Sequence, residues 1–258
     1  MCRHLAYVGP PVTPASLVLQ VPHSLLHQSY APADMRGGGT INADGFGAGW
    51  YPDPGGPAAR YRSALPIWSD ASFASVAAAT RSGGVLAAVR SATVGMPVTE
   101  AAAAPFGEGR WLFSHNGVVQ GWPQSMAGLA GVLPVTDLLT LDAPTDAALL
   151  WALVRHRLRA GTEPGDALAG VVADVVAVAP GSRLNLLLTD GTGIWATAWY
   201  HALSVRTDDG SALVASEPLD GDPGWCPVPD RHLVTAGPGG HCCVPLVGTP
   251  APTIQGVR

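Results

Sequence analysis

The chain has 258 residues, 47% hydrophobic and 13% charged, enough for a sizeable core in one large domain or two small ones. Its net charge is −5 with no basic cluster, which argues against nucleic acid and anionic membrane as partners. All 14 basic residues are arginine, so neither a Schiff-base lysine nor a phosphate-loop lysine is available.

In chain order, Leu5-Ala6-Tyr7-Val8 is apolar on both faces and predicts a strand held between two layers, ended by Gly9-Pro10-Pro11. Thr13-Pro14-Ala15 carries a cap residue followed by a proline suited to the first helical position. Gly47 to Tyr51 predicts a strand, Asp70 to Thr80 an Ala-rich helix, and Val85 to Arg90 and Trp111 to His115 two buried strands. Thr145 to Arg159 gives the clearest helix, with apolar residues three and four apart and arginines near its C-terminal end. Pro164 to Val178 predicts a second, largely buried helix. Leu184–Thr189, Asp190-Gly191-Thr192-Gly193 and Ile194–Tyr200 together spell a hairpin. Strands follow near 203–205, 213–215, 233–235 and 243–247.

Strands, then two helices, then more strands indicate an α+β fold with layered sheets. No repeat or linker divides the chain, so one domain is expected over 1–258, with a core at 2–248 and a loose Pro-rich tail at 249–258. The most apolar stretch, Ala167 to Ala179, is broken by Asp174 and is too short for a membrane span. No apolar segment of a secretory signal follows Met1-Cys2-Arg3-His4, so a cytoplasmic location is expected. Disulfides are not expected there, and His241-Cys242-Cys243 with Cys226 lacks the paired spacing of a zinc site. No metal and no cofactor is expected.

Cys2 is the first candidate for chemistry. Removal of Met1 would give one residue both a thiol and a free α-amine, the latter with a pKa of about 7.7–8.0. Such an amine serves as general base for its own thiol, directly or through a water. Asn42-Ala43-Asp44-Gly45-Phe46-Gly47-Ala48-Gly49 has the glycines of a phosphate loop, yet it precedes a strand rather than opening a helix, which favours a tight turn. Arg90 ends an apolar strand, where its fork suits either a substrate carboxylate or a protein ion pair. Ser114-His115-Asn116-Gly117 offers an amide donor beside a backbone N–H, the pieces of an oxyanion hole, or a plain Asn-Gly turn. Asp146, in a first helical turn, either complements the helix dipole or pairs with a substrate ammonium.

Taken in order, Cys2, then Arg90-Ser91-Ala92-Thr93, then His115-Asn116-Gly117, then Thr145-Asp146, this chain resembles the class II glutamine amidotransferase family over nearly its whole length. The resemblance implies an N-terminal nucleophile hydrolase with a four-layer αββα sandwich. It implies that Cys2 forms a thioester with a γ-glutamyl carbonyl, with its amine shuttling the proton. Arg90 and Thr93 are then expected to bind the α-carboxylate, Asp146 the α-ammonium, and Asn116 with the N–H of Gly117 the oxyanion; His115 is counted with the substrate-binding residues. Ser91 and Val94 depart from the family, many members of which carry an aromatic and a histidine at these places.

Met1–Leu5, Pro22-His23-Ser24-Leu25-Leu26, Gln28-Ser29-Tyr30-Ala31-Pro32, Asn42–Gly47 and Ala215-Ser216-Glu217-Pro218-Leu219-Asp220 resemble one branch of the family more closely. That branch hydrolyses the γ-glutamyl amide of a sulfoxide-linked cysteine–trimethylhistidine conjugate, so the expected partner is a small γ-glutamyl molecule. No ammonia-using domain is seen, so ammonia channelling within one chain is not expected. Two alternatives stand beside this reading: a glutaminase subunit feeding a separate synthase, and a silent copy used as a binding module. Aromatic residues such as Trp50, Tyr51, Trp68, Trp122 and Trp225 are candidates for cation–π contact with a trimethylammonium.

Overall fold

A computed structural model describes residues 2–36, 38 and 41–246. Met1 and the expected tail at 249–258 lie outside the described residues. Among the described residues thirteen strands are formed: β1 (Arg3–Val12), β2 (Phe46–Trp50), β3 (Ala59–Ser63), β4 (Ser82–Val89), β5 (Phe106–Glu108), β6 (Trp111–Val118), β7 (Arg183–Thr189), β8 (Ile194–Ala198), β9 (Ser204–Asp208), β10 (Ser211–Ala215), β11 (Cys226–Pro227), β12 (His232–Gly237) and β13 (Gly240–Pro245). They pair into a seven-stranded sheet, order β11-β9-β10-β1-β4-β2-β3, and a six-stranded sheet, order β13-β12-β8-β7-β6-β5.

The two sheets stack, and each buries its other face under helices. Alternation along β1 shows why. Ala6 and Val8 join Leu86, Leu112, Leu187 and Val214 in the core between the sheets, while Leu5 and Tyr7 face an outer core with Phe73, Ala77, Val18 and Leu25. On the far side, helices Asp146–Arg159 and Pro164–Val178 cover the six-stranded sheet through Leu149, Leu153, Leu168 and Val172 against Phe113 and Leu186. The result is the expected αββα sandwich. No helix among the described residues is long and apolar enough to cross a membrane.

Local chemistry explains several boundaries. Asp70 caps helix Ala71–Ala79 by accepting from Phe73 N at 2.9 Å, and Thr145 caps Asp146–Arg159 by accepting from Ala148 N at 3.2 Å. In the β7–β8 turn, Asp190 Oδ1 accepts from the N–H groups of Thr192 and Gly193. β1 runs further than its sequence suggests. It continues through Gly9-Pro10-Pro11 to pair Val12 with Ser82 after a register shift, because an irregularity does not require the missing proline N–H groups. The helix expected from Thr13 is short and ends in π-type geometry at Ser16–Gln20, with Thr13 Oγ1 accepting from Ser16 N.

The glycine-rich stretch before β2 is a packing device. A Cβ on Gly49 would lie 2.6 Å from Leu112 of the opposite sheet, and one on Gly47 would lie 2.4 Å from the carbonyl of Ala104. These glycines let the two sheets approach closely, which accounts for the motif without a phosphate.

Candidate active site

Strand ends bring the site together. β1 is the central strand of the larger sheet, and Cys2 immediately precedes it. β4 pairs beside it with Arg3 opposite Val89, so Arg90 emerges next to Cys2. The loop after β4 folds back over this end: Arg90 Nη1 donates to the carbonyl of Pro97 at 2.8 Å, Ala92 N donates to Asp44 Oδ2 at 2.8 Å, and Met96 N closes a turn on Thr93 O. From the other sheet, β6 contributes His115 and Gly117, and the start of helix Asp146–Arg159 contributes Asp146. One cavity is lined by Cys2, Arg90, Thr93, His115, Gly117 and Asp146.

Asn116 alone of the sequence candidates does not line that cavity. It is buried, and neither amide atom has a hydrogen-bond partner among the described residues. By strand alternation it shares a face of β6 with Ser114, whose Oγ lies 3.1 Å from His4 Nδ1. His4 in turn shares a face with Cys2. The Asn116 amide therefore belongs to the side of β6 that looks across at the Cys2 side of β1. A buried amide without a partner is costly, so a polar group that accepts from it would relieve that cost.

The charges in the cavity are complementary to an amino-acid head. Arg90 makes no ion pair among the described residues; its donors meet only the carbonyls of Pro97 and Asp44. The Asp146 carboxylate is 8% exposed and accepts from Val119 N at 3.0 Å and Ala147 N at 2.8 Å, again with no cationic partner among the described residues. One cation and one anion face a shared space without satisfying each other, as a bound α-carboxylate and α-ammonium require. His115 is fixed instead by the main chain, its Nε2 lying 3.0 Å from Arg183 O. The Cys2 thiol is half-buried, with Sγ 3.7 Å from Ser91 O.

Four surrounding residues carry no role that their sequence pattern predicts. Arg3, 2% exposed, donates Nη1 to Cys2 O at 3.1 Å and Nη2 to Asp34 O, and pairs with Glu217 at 2.8 Å. Glu217, 3% exposed, also meets His23 and the N–H groups of Ala33 and Asp34. His4 and His201 are buried imidazoles whose pKa values are each pushed down to about 3. Burial is the main cause for both; His115 follows for His4, and Arg183 then Arg3 for His201. Arg3 and Glu217 stand 214 residues apart, so no local pattern reveals their pairing.

The family model for class-II glutamine amidotransferases matches residues 16–208. A protein named gamma-glutamyl-hercynylcysteine sulfoxide hydrolase from Mycolicibacterium smegmatis is 48% identical over 234 residues, covering 91% of this chain and 95% of that protein. One of the same name from Mycobacterium tuberculosis is 44% identical, covering 91% and 92%. The structure of a glutamine aminotransferase class-II domain protein from Silicibacter pomeroyi matches with a TM-score of 0.68 at 24% identity, covering 95% of this chain and 99% of that one, a likeness of fold. By the length of these matches as well as by its architecture, the chain belongs to the class-II glutamine amidotransferase family.

Proposed function

We propose that this protein is a single-domain hydrolase that cleaves γ-glutamyl-hercynylcysteine sulfoxide to glutamate and hercynylcysteine sulfoxide. The observation that carries this reading is the cavity in which the Cys2 thiol shares space with an arginine and an aspartate, neither of which has an ionic partner among the described residues. That arrangement fits a glutamyl group held by both ends of its α-carbon, with its γ-carbonyl at the sulfur. The relatives at 44–48% identity carry this activity in their names, which supports the choice of substrate.

In this reading Met1 is removed and Cys2 supplies the α-amine as general base. The sulfur attacks the γ-carbonyl carbon as the amine takes the thiol proton. Asn116 and the N–H of Gly117 stabilise the resulting oxyanion. The C–N bond breaks, the proton passes to the leaving amine, and a thioester remains. Water, activated by the same amine, then releases glutamate and restores the thiol. Arg90 and Thr93 hold the α-carboxylate, Asp146 holds the α-ammonium, and His115 shapes the wall between them. We infer a cytoplasmic enzyme whose partner is this small molecule rather than nucleic acid or membrane.

The test is a side-by-side kcat/KM for the conjugate and for glutamine. The conjugate should be the far better substrate; equal or better hydrolysis of glutamine would replace this reading with that of an ammonia-supplying glutaminase subunit. Arg90→Ala and Asp146→Ala should each lose at least about tenfold in kcat/KM, as expected for a charge-assisted hydrogen bond of about 1.5–3 kcal/mol.

A further inference from the structure

We propose that the leaving-group half of the substrate is bound in a second cleft, on the flank of Cys2 opposite the glutamyl cavity, by Arg36 together with the carboxylates of Asp34 and Asp220. This inference rests on the proposed hydrolase reading and adds the place and chemistry of its specificity.

The strand order sets the geometry. Across the catalytic end of the large sheet the neighbours run β9, β10, β1, β4. Cys2 stands at β1, and the glutamyl cavity opens on the β4 side through Arg90 and Thr93. An amide carbonyl placed at Cys2 has its acyl chain on one side and its nitrogen on the other. A glutamyl chain reaching toward Arg90 and Asp146 therefore sends the amine toward β10 and β9. On that flank lies a cleft of about 510 Å³, within the usual range for small-molecule sites. Ala202, Ser204, Ser216 and Glu217 form part of its wall, Ser204 and Ser216 lying at the ends of β9 and β10. A third cavity, near Trp122, shares Thr93 and Met96 with the glutamyl cavity and so adjoins the loop after β4, away from β9 and β10.

The cleft is tied to the nucleophile. His4 N donates to Ser216 Oγ at 3.0 Å, and Arg3 joins the Cys2 carbonyl to Asp34 O and to Glu217. Its charged rim suits a zwitterion. Arg36 is 51% exposed, pairs with Asp34 at 2.9 Å and donates to Tyr200 O at 3.3 Å, while Asp220 adds a second carboxylate that Arg206 and the Trp225 indole N–H hold in place at 3.0 and 2.8 Å. An exposed ion pair contributes little by itself, so its members can exchange each other for a ligand's own charges at low cost. Arg36 then meets a carboxylate, and the aspartates meet a fixed cation such as a trimethylammonium. Pro218, Pro227, Leu203 and Val228 give the apolar contact that a substituted imidazole or thioether-derived chain needs.

The test compares wild type with Arg36→Ala and Ala202→Trp, the first removing the cation and the second filling the cleft. For each, kcat/KM is measured for γ-glutamyl-hercynylcysteine sulfoxide and for glutamine, which has nothing to place in the cleft. The ratio of the two values should fall at least about tenfold in both variants. Wild type that favours the conjugate, with variants that keep the full ratio, would overturn this inference and leave the hydrolase reading intact. Wild type with no preference for the conjugate would overturn the hydrolase reading, and the inference with it. Arg36→Ala replaces an exposed side chain, so a folding failure of Ala202→Trp leaves the outcome decided by Arg36→Ala.

Discussion

A half-buried thiol beside exposed ones makes a sharp test of chemistry against accessibility. Cys226 and Cys242 are exposed while Cys2 and Cys243 are less so, and all four are free thiols. Labelling governed by access alone would strike Cys226 and Cys242 first. A diazoketone analogue of glutamine should instead modify Cys2 alone, as read by peptide mass, and Cys2→Ala should be folded but inactive. Modification elsewhere with Cys2 untouched would sink the assignment. Asn116 gives the second prediction at this scale. In the proposed role its amide donates to the negative charge that appears on the substrate oxygen, so Asn116→Ala should lower kcat by about 10²–10³ with a smaller change in KM. A normal kcat with raised KM would move Asn116 from the transition state to ground-state binding.

At the scale of elements, Gly117 couples the site to the β6–β7 pairing. A Cβ there would lie 1.8 Å from Arg183 O and 2.7 Å from His115 Nε2. Gly117→Ala must therefore push β7 away, and overpacking of this kind costs about 1–3 kcal/mol. A fall in melting temperature of several degrees, together with lost activity, is the expected outcome; an unchanged Tm would show that the strands adjust freely. The same elements show what the sequence reveals. The hairpin of β7 and β8, the two long helices and the ends of β4 and β6 were legible because caps, turns and periodicity are local. β3 and β5, short and paired with neighbours by contact rather than pattern, were missed, as was the passage of β1 through its prolines. Cys2, Arg90, Thr93, His115, Gly117 and Asp146 were legible only as a set, since each alone has an ordinary explanation. Arg3, Glu217 and His201 were not, because what singles them out is burial and distant partners.

For the whole molecule, the buried imidazoles predict acid sensitivity. His4 and His201 stay neutral in the folded protein down to about pH 3, whereas the unfolded chain takes up protons near the ordinary value of 6.5. Between those values the unfolded state binds more protons, so stability is complete above about pH 6.5 and declines as pH falls below it. The limiting slope is about 1.4 kcal/mol per pH unit for each histidine. Glu217 adds its share only lower. Burial opposes its charge, but hydrogen bonds from His23 and Ala33 N–H and the charge of Arg3 hold its pKa below 4.5. Melting temperature should drop between pH 6.5 and 4.5, and His201→Leu should show a shallower decline. Identical slopes would remove His201 from this account.

The pairing of the first strand with the last third of the chain has a consequence for synthesis. Cys2 is among the first residues to leave the ribosome, but β10 and Glu217 come more than 200 residues later. At roughly 5–20 residues per second, that is a wait of roughly 10–40 s. Until then β1 lacks one neighbour and Arg3 lacks its carboxylate, so the strand that carries Cys2 is left unpaired along its β10 edge. A product truncated before Glu217 would keep the thiol, Arg90, Asn116 and Asp146 yet lack the carboxylate that pairs with Arg3, so the first strand of this fold is completed only by a late part of the chain.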